Sequence, residues 1–207
     1  MKIAIVDYGL GNLQSVMYAL QHLGVETVVS SNSKLINLCD GVILPGVGAF
    51  KDAMRNIIKL DLKEPLIEIC NSQKPFLGIC LGMQLMMDFS EEFGYTEGLG
   101  VVKGEVRKFN YDNIHPVPQI QWNTINIVKP SRLLKNINES EHMYFIHSFY
   151  VLPNDNSIIN AQTDYCGIKY CSVYTTKNIF ATQFHPEKSG KNGISILNNF
   201  INELKGQ

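Results

Sequence analysis

The sequence is short of charge, of paired cysteines and of long apolar runs, and each shortage excludes something. Charged residues make up 18% of the 207, below the ~25% usual for globular domains. Its 18 basic and 19 acidic side chains leave a net charge of −1, which gives no electrostatic footprint for nucleic acid or an anionic membrane surface. Cys39, Cys70, Cys80, Cys166 and Cys171 are odd in number and form no C-x-x-C pair. That excludes a disulfide framework and suits a reducing, cytoplasmic compartment. The cysteines have no metal-ligand spacing with His22, His115, His142, His147 or His185, so neither metal nor cofactor is expected. The longest nearly unbroken apolar stretch, Gly41 to Phe50, contains Pro45, whereas a spanning helix needs about 18 or more residues. The short run before Asp7 is unlike a signal peptide, so a soluble, unexported chain is expected. The low charge would also suit a subunit with a covered face.

Apolar side chains form 45% of the sequence, enough to bury the core of one domain, expected over residues 1–207. Lys2 to Asp7 is a β-branched run followed by Tyr8-Gly9-Leu10-Gly11-Asn12, after which Leu13, Val16, Met17, Leu20 and Leu23 recur at helical spacing until Gly24. This predicts strand, loop and amphipathic helix. The loop lacks both G-x-G-x-x-G and a Walker lysine, so nucleotide binding is not expected. Further strands are predicted at Glu26 to Ser30, Gly41 to Leu44 and Pro75 to Cys80, with helical stretches around Ile57 to Leu62 and Pro65 to Ile69. Strand alternating with helix, with unbroken apolar strands, marks a parallel sheet covered on both faces. Between Val101 and Thr176 the runs Val101 to Phe109, Thr124 to Val128, Met143 to Leu152 and Ile168 to Tyr174 are separated by turn residues. Here antiparallel pairing is expected. Asn178 to Phe184 and Gly193 to Leu204 close the chain as strand and helix. The fold class is therefore α/β, with a central, mostly parallel sheet, helices on both faces and a smaller antiparallel portion.

Gly78-Ile79-Cys80-Leu81-Gly82 places a cysteine where a buried strand ends, with a glycine two residues away on each side and a helical run, Met83 to Asp88, next. This is the spacing of a nucleophile elbow, in which a sharp turn strains the central residue and small neighbours let strand and helix approach. At a helix start the dipole and free N–H groups favour a Cys80 thiolate, and the Leu81 N–H becomes an oxyanion donor. The alternative is a core cysteine in an ordinary glycine-rich turn. His185 ends an apolar strand and is followed by Pro186 and Glu187. Residues two apart in extended chain share a side, so Glu187 can orient the imidazole of His185. Cys80 and His185 both fall at C-terminal strand ends, where open α/β sheets build their sites. Pro45-Gly46-Val47-Gly48 offers a second backbone N–H near that edge, or is a plain loop. His147, in the strand-like run Tyr144 to Tyr150, reads as a satisfied structural histidine.

Gly78-Ile79-Cys80-Leu81-Gly82-Met83-Gln84 with Gln183-Phe184-His185-Pro186-Glu187 resembles the class I, triad-type glutamine amidotransferases. Within that family it is similar to the glutaminase subunits of imidazole glycerol phosphate synthases. The similarity extends through Asp7-Tyr8-Gly9-x-Gly11-Asn12-Leu13, Leu44-Pro45-Gly46-Val47-Gly48-Ala49-Phe50, Tyr144-Phe145-x-His147-Ser148 and Lys188-Ser189-Gly190, and runs from Asp7 to Phe200. The resemblance implies the family's three-layer fold and hydrolysis of L-glutamine through a Cys80 thioester, with His185 as acid and base and Glu187 orienting it. It also implies an oxyanion site at Leu81 and the Val47-Gly48 turn, after a peptide flip, and substrate contacts from Gln84, His147 and Ser148. Free ammonia is protonated at neutral pH, so a glutaminase must hand it directly to an acceptor site. The expected partner is a (β/α)8-barrel cyclase subunit, joined as a heterodimer, that makes imidazole glycerol phosphate and aminoimidazole carboxamide ribonucleotide in histidine biosynthesis.

One segment departs from that pattern. The family usually shows Pro-His-x-Gly-Trp-Asn on its partner-facing side, whereas this chain has Pro118-Gln119-Ile120-Gln121-Trp122-Asn123. The departure leaves open a paralogous glutaminase that supplies ammonia for amidination of a surface-polysaccharide sugar. A stand-alone cysteine or γ-glutamyl hydrolase on the same fold, and a binding protein with a vestigial site, are further alternatives.

Overall fold

In the computed structural model, which describes residues 1–110, 115–138 and 140–205, Lys2–Val6 (β1), Glu26–Ser30 (β2), Gly41–Gly46 (β3), Phe76–Cys80 (β4) and Ile179–Thr182 (β13) form a parallel block. The expected domain boundary at residue 207 lies outside the described residues. The spatial order is β2-β1-β3-β4-β13. β1, β3, β4 and β13 are buried, while β2, at the edge of the block, is half-buried to exposed, as its sequence Glu-Thr-Val-Val-Ser reflects. Ile3 and Ile5 of β1 point into one core, and Ala4 and Val6 into the other, as the period of two in an extended chain requires.

Helices close both faces. Leu13–His22 (α1) and Gly190–Lys205 (α6) pack Val16, Leu20, Leu197 and Phe200 against Ile3, Ile43, Leu77 and Phe180. Ser33–Asn37 (α2), Phe50–Lys59 (α3), Lys63–Asn71 (α4) and Leu81–Leu85 (α5) cover the opposite face, with Ile36, Met54, Leu66 and Leu85 against Val42 and Phe76. The side chain of Asn12 caps α1 by accepting from the Ser15 N–H at 3.3 Å. α2 was not foreseen; its five residues carry too little periodicity to read, although Asn32 caps it by the same chemistry.

Beyond β13 the sheet turns antiparallel through Ile168–Thr176 (β12), Phe149–Pro153 (β10) and Gly104–Lys108 (β7), and short strands Phe89–Ser90 (β5) and Thr96–Glu97 (β6) end that path. A branch leaves β12 through Ile159–Tyr165 (β11), Gln119–Ile127 (β8) and Glu141–His147 (β9).

Three differences from expectation have physical causes. The run Met143 to Leu152 is two strands, because the chain changes partners at Ser148, from β8 to β7 and β12. β8 begins at Gln119 rather than Thr124, because Gln119 to Asn123 are paired residue for residue with His147 to Met143 despite their polarity. β11 was not foreseen because Asn160 and Thr163 interrupt its apolar pattern, although both are buried. Among the described residues, no helix is long and apolar enough to cross a membrane.

Candidate active site

β4 and β13 are neighbours, so their C-terminal ends bring together two segments far apart in the chain. At the first of these ends Cys80 takes φ 54° and ψ −108°, a left-handed backbone that a side chain adopts only under constraint. The constraint comes from close approach. A Cβ on Gly82 would collide with the Leu44 carbonyl of β3, and one on Gly78 with Met86 and the Gly82 backbone. α5 starts immediately at Leu81, two residues earlier than expected, and so directly follows the nucleophile.

At the second end, His185 Nδ1 lies 2.8 Å from Glu187 Oε1, with both side chains almost wholly buried. The turn that holds them is stapled to β9: the His185 N–H donates to the Tyr144 carbonyl at 3.0 Å, and the Ser189 hydroxyl accepts from the Tyr144 N–H and donates to the His185 carbonyl at 2.6 Å. Burial works against an imidazolium here, yet the facing Cys80 sulfur and the Glu187 carboxylate outweigh it and raise the His185 pKa to about 10. His185 Nε2 is buried without a hydrogen-bond partner. A cysteine, a histidine poised to carry charge and a carboxylate orienting its far nitrogen form the constellation of nucleophilic acyl transfer.

Cys80 opens into a cleft of about 240 Å³ lined by Val47, Gly48, Leu81, Gln84, Glu92, Pro118, Ile146, His147, Ser148 and Phe149. The structure therefore gathers Cys80 and the six expected oxyanion and substrate residues around one space. His185 and Glu187 sit behind it. A larger hollow of about 350 Å³ between α2 and α4, with Ser33, Lys34 and Glu68 on its walls, is lined by no cysteine and no histidine. Glu92 accepts from the Phe50 N–H at 2.7 Å, and burial raises its carboxyl pKa.

His147 is a neutral, satisfied histidine rather than a second base. Burial, opposed by the Phe149 carbonyl, pushes its pKa down to about 4. Its Nδ1 lies 2.7 Å from that carbonyl, and its Nε2 lies 3.3 Å from the Tyr170 hydroxyl. The same hydroxyl is 3.0 Å from Gln119 Oε1. Gln119, one of the two departures noted in the sequence, is thus fully buried behind the cleft. On the other face of the β8–β9 ladder, Ile120 (57% exposed) pairs with Ile146, and Trp122 (52% exposed) pairs with Tyr144. Among the described residues no group of three or more His, Cys, Asp or Glu is placed to hold a metal ion.

Sequence reasoning missed Gln183 and the stapling role of Ser189. Gln183 Nε2 lies 3.7 Å from the Cys80 sulfur. The same two-residue spacing that tied Glu187 to His185 would have placed Gln183 on their side.

The family model for class I glutamine amidotransferases matches residues 4–204. Over 203 residues the chain is 44% identical to the imidazole glycerol phosphate synthase subunit HisH 1 of Methanococcus maripaludis, covering 96% of this chain and 98% of that protein. It is 42% identical to subunit HisH of Geobacter sulfurreducens, over 96% and 97% of the two chains. With Methanocaldococcus jannaschii subunit HisH it shares 43% identity, over 98% and 100%. Among solved structures, PurLQS from Thermotoga maritima superposes with a TM-score of 0.75 at 17% identity, over 97% of both chains. A glutamine amidotransferase does so with 0.75 at 14%, over 98% of both. At those identities the structural likeness is one of fold.

Proposed function

The chain belongs to the class I glutamine amidotransferase family, and from that premise we propose that it is the glutaminase subunit of an imidazole glycerol phosphate synthase. It hydrolyses L-glutamine to glutamate and ammonia. The observation that carries the reading is the meeting of Cys80, held at positive φ where β4 enters α5, with the buried His185–Glu187 pair at the end of the adjacent strand.

The Cys80 thiolate attacks the side-chain carboxamide carbon. The oxyanion that forms is stabilised by the Leu81 N–H in the first turn of α5 and by the Val47-Gly48 turn across the cleft. The imidazolium of His185 gives its proton to the departing ammonia, leaving a thioester. Neutral His185 then takes a proton from water as the water oxygen attacks, glutamate leaves, and the thiolate and imidazolium are restored. Glu187 fixes the tautomer throughout and stabilises the charged ring. Gln84 and the His147-Ser148 backbone hold the amino-acid end of the substrate.

Ammonia is a nucleophile only while unprotonated, so it is passed directly to a (β/α)8-barrel cyclase subunit in a cytoplasmic heterodimer. The apolar outer face of β8 and β9, with Ile120, Trp122 and Ile146 beside the cleft mouth, supports a covered surface there. A second reading, ammonia supply to a sugar acceptor, rests on Gln119 and Gln121. Burial of Gln119 removes one of them from the docking face.

In the complex, Cys80→Ser is expected to abolish glutamine-dependent synthesis while leaving ammonium-dependent synthesis intact; loss of both would overturn the division of labour. Rescue of a histidine auxotroph lacking this subunit decides between the two acceptors.

A further inference from the structure

We propose that Gln183 is a third polar partner of the nucleophile, beside His185 and the Ile146 carbonyl, to which the Cys80 thiol donates at 3.8 Å: its carboxamide, turned by Gln84 and the Phe149 carbonyl, donates to the Cys80 sulfur and favours the thiolate. The inference deepens the reading of Cys80 as nucleophile and rests on it.

Gln183 is 0% exposed, so its amide must find partners inside the protein. Nε2 lies 3.7 Å from Cys80 Sγ, and Oε1 accepts from Gln84 Nε2 at 3.2 Å. Gln84 Nε2 also donates to the Phe149 carbonyl at 2.9 Å. A backbone carbonyl only accepts, so Gln84 must turn its NH2 toward Phe149. That same NH2 faces Gln183, which must therefore answer with oxygen and leave its own NH2 to the sulfur. Reversing the Gln183 amide would set two donors against each other and a carbonyl oxygen against the sulfur. The Phe149 carbonyl is itself held by His147 Nδ1 at 2.7 Å.

This donor differs from His185 in kind. The histidine gives up its proton when ammonia leaves, whereas the amide keeps its hydrogens through both half-reactions. It is therefore in place when the carbon–sulfur bond of the thioester breaks and the electron pair returns to sulfur. The titratable groups around that sulfur are His185 and Glu187 from the turn after β13, Tyr8 from the loop after β1, Tyr170 from β12, His147 from β9, which burial keeps neutral, and Glu92 across the cleft. Burial raises the pKa of both tyrosines far above their ordinary value, so they do not titrate alongside the thiol.

The test is the pH dependence of Cys80 carboxymethylation by iodoacetamide, located by peptide mass, in the full chain. Gln183→Met is expected to move the thiolate midpoint up by about one pH unit and to lower kcat for glutamine roughly tenfold, with KM changed less than about threefold. Gln183→Glu is expected to move the midpoint further, by like-charge repulsion. Gln84→Met leaves Gln183 in place but unturned, and is expected to shift the midpoint in the same direction by a smaller amount. An unmoved midpoint in folded Gln183→Met overturns the proposal. If that variant does not fold, an unmoved midpoint in Gln84→Met overturns it. Alkylation needs neither glutamine nor partner, so its result is independent of whether the wild-type chain proves to be a glutaminase.

Discussion

Two histidines a few ångströms from the same cleft are driven in opposite directions by what surrounds them. His185 meets the Cys80 sulfur and the Glu187 carboxylate, and its folded pKa of about 10 lies above the ordinary 6.5. Its charged form therefore contributes stability that is whole below about pH 6.5 and is lost as pH climbs toward 10. Cys80→Ala removes the facing charge, so the alkaline fall in melting temperature is expected to shrink. A variant that loses stability between pH 7 and 10 as steeply as the wild type would contradict the pairing. His147 is buried neutral with a pKa of about 4. The unfolded chain then binds the extra proton first, so stability falls as pH drops from about 6.5 to 4, by roughly 3 kcal/mol at full extent. His147→Gln is expected to flatten that acid limb in denaturant titrations, although it also loses packing against Phe109 and Tyr170. Glu187→Gln is expected to lower glutamine-dependent kcat by roughly 10²–10⁴ while leaving ammonium-dependent synthesis unchanged. A loss smaller than about threefold would remove Glu187 from the mechanism.

At the scale of elements, the elbow is a packing problem as much as a chemical one. α5 can leave β4 so sharply only because Gly82 lies against the Leu44 carbonyl, where a Cβ does not fit. Gly82→Ala is expected to displace β3 from α5 and cost both stability and glutaminase activity. Wild-type melting with full activity would show that the turn has slack. On the opposite face, α6 docks through Phe200, fully buried and 5.9 Å from the Phe180 ring centroid. Phe200→Ala leaves a cavity worth about 3–5 kcal/mol, visible as a lower denaturant midpoint. The parallel block was legible because most of its strands are nearly unbroken apolar runs, β2 excepted, and its turns carry glycine. The first half of β8, from Gln119 to Asn123, β11 and the break at Ser148 were not. Their residues owe their state to cross-strand neighbours, and Gln119 or Asn160 reads as loop until its pairing partner is known.

At the scale of the molecule, the sole tryptophan is Trp122, half exposed on the outer face of β8. If the proposed barrel partner covers that face, the Trp122 emission is expected to shift to the blue on binding, and Trp122→Ala is expected to weaken association without lowering the melting temperature of the free chain. Emission unchanged by saturating partner would place the interface elsewhere.

The nature of the chemistry was written in short segments. Gly78 to Gly82 and His185 to Glu187 carry their signal in spacing, because an elbow and a same-side pair are local geometries that a few consecutive residues dictate. The sequence also determined the alternation of strand and helix, since periodicity is local too. Only the tertiary structure decided that β13 lies beside β4, that Gln183 reaches a sulfur 103 residues away, and that Gln119 is buried while Trp122 is exposed. Those outcomes depend on which strands become neighbours, which is settled by the burial of two cores on opposite faces of one sheet and not by any single segment.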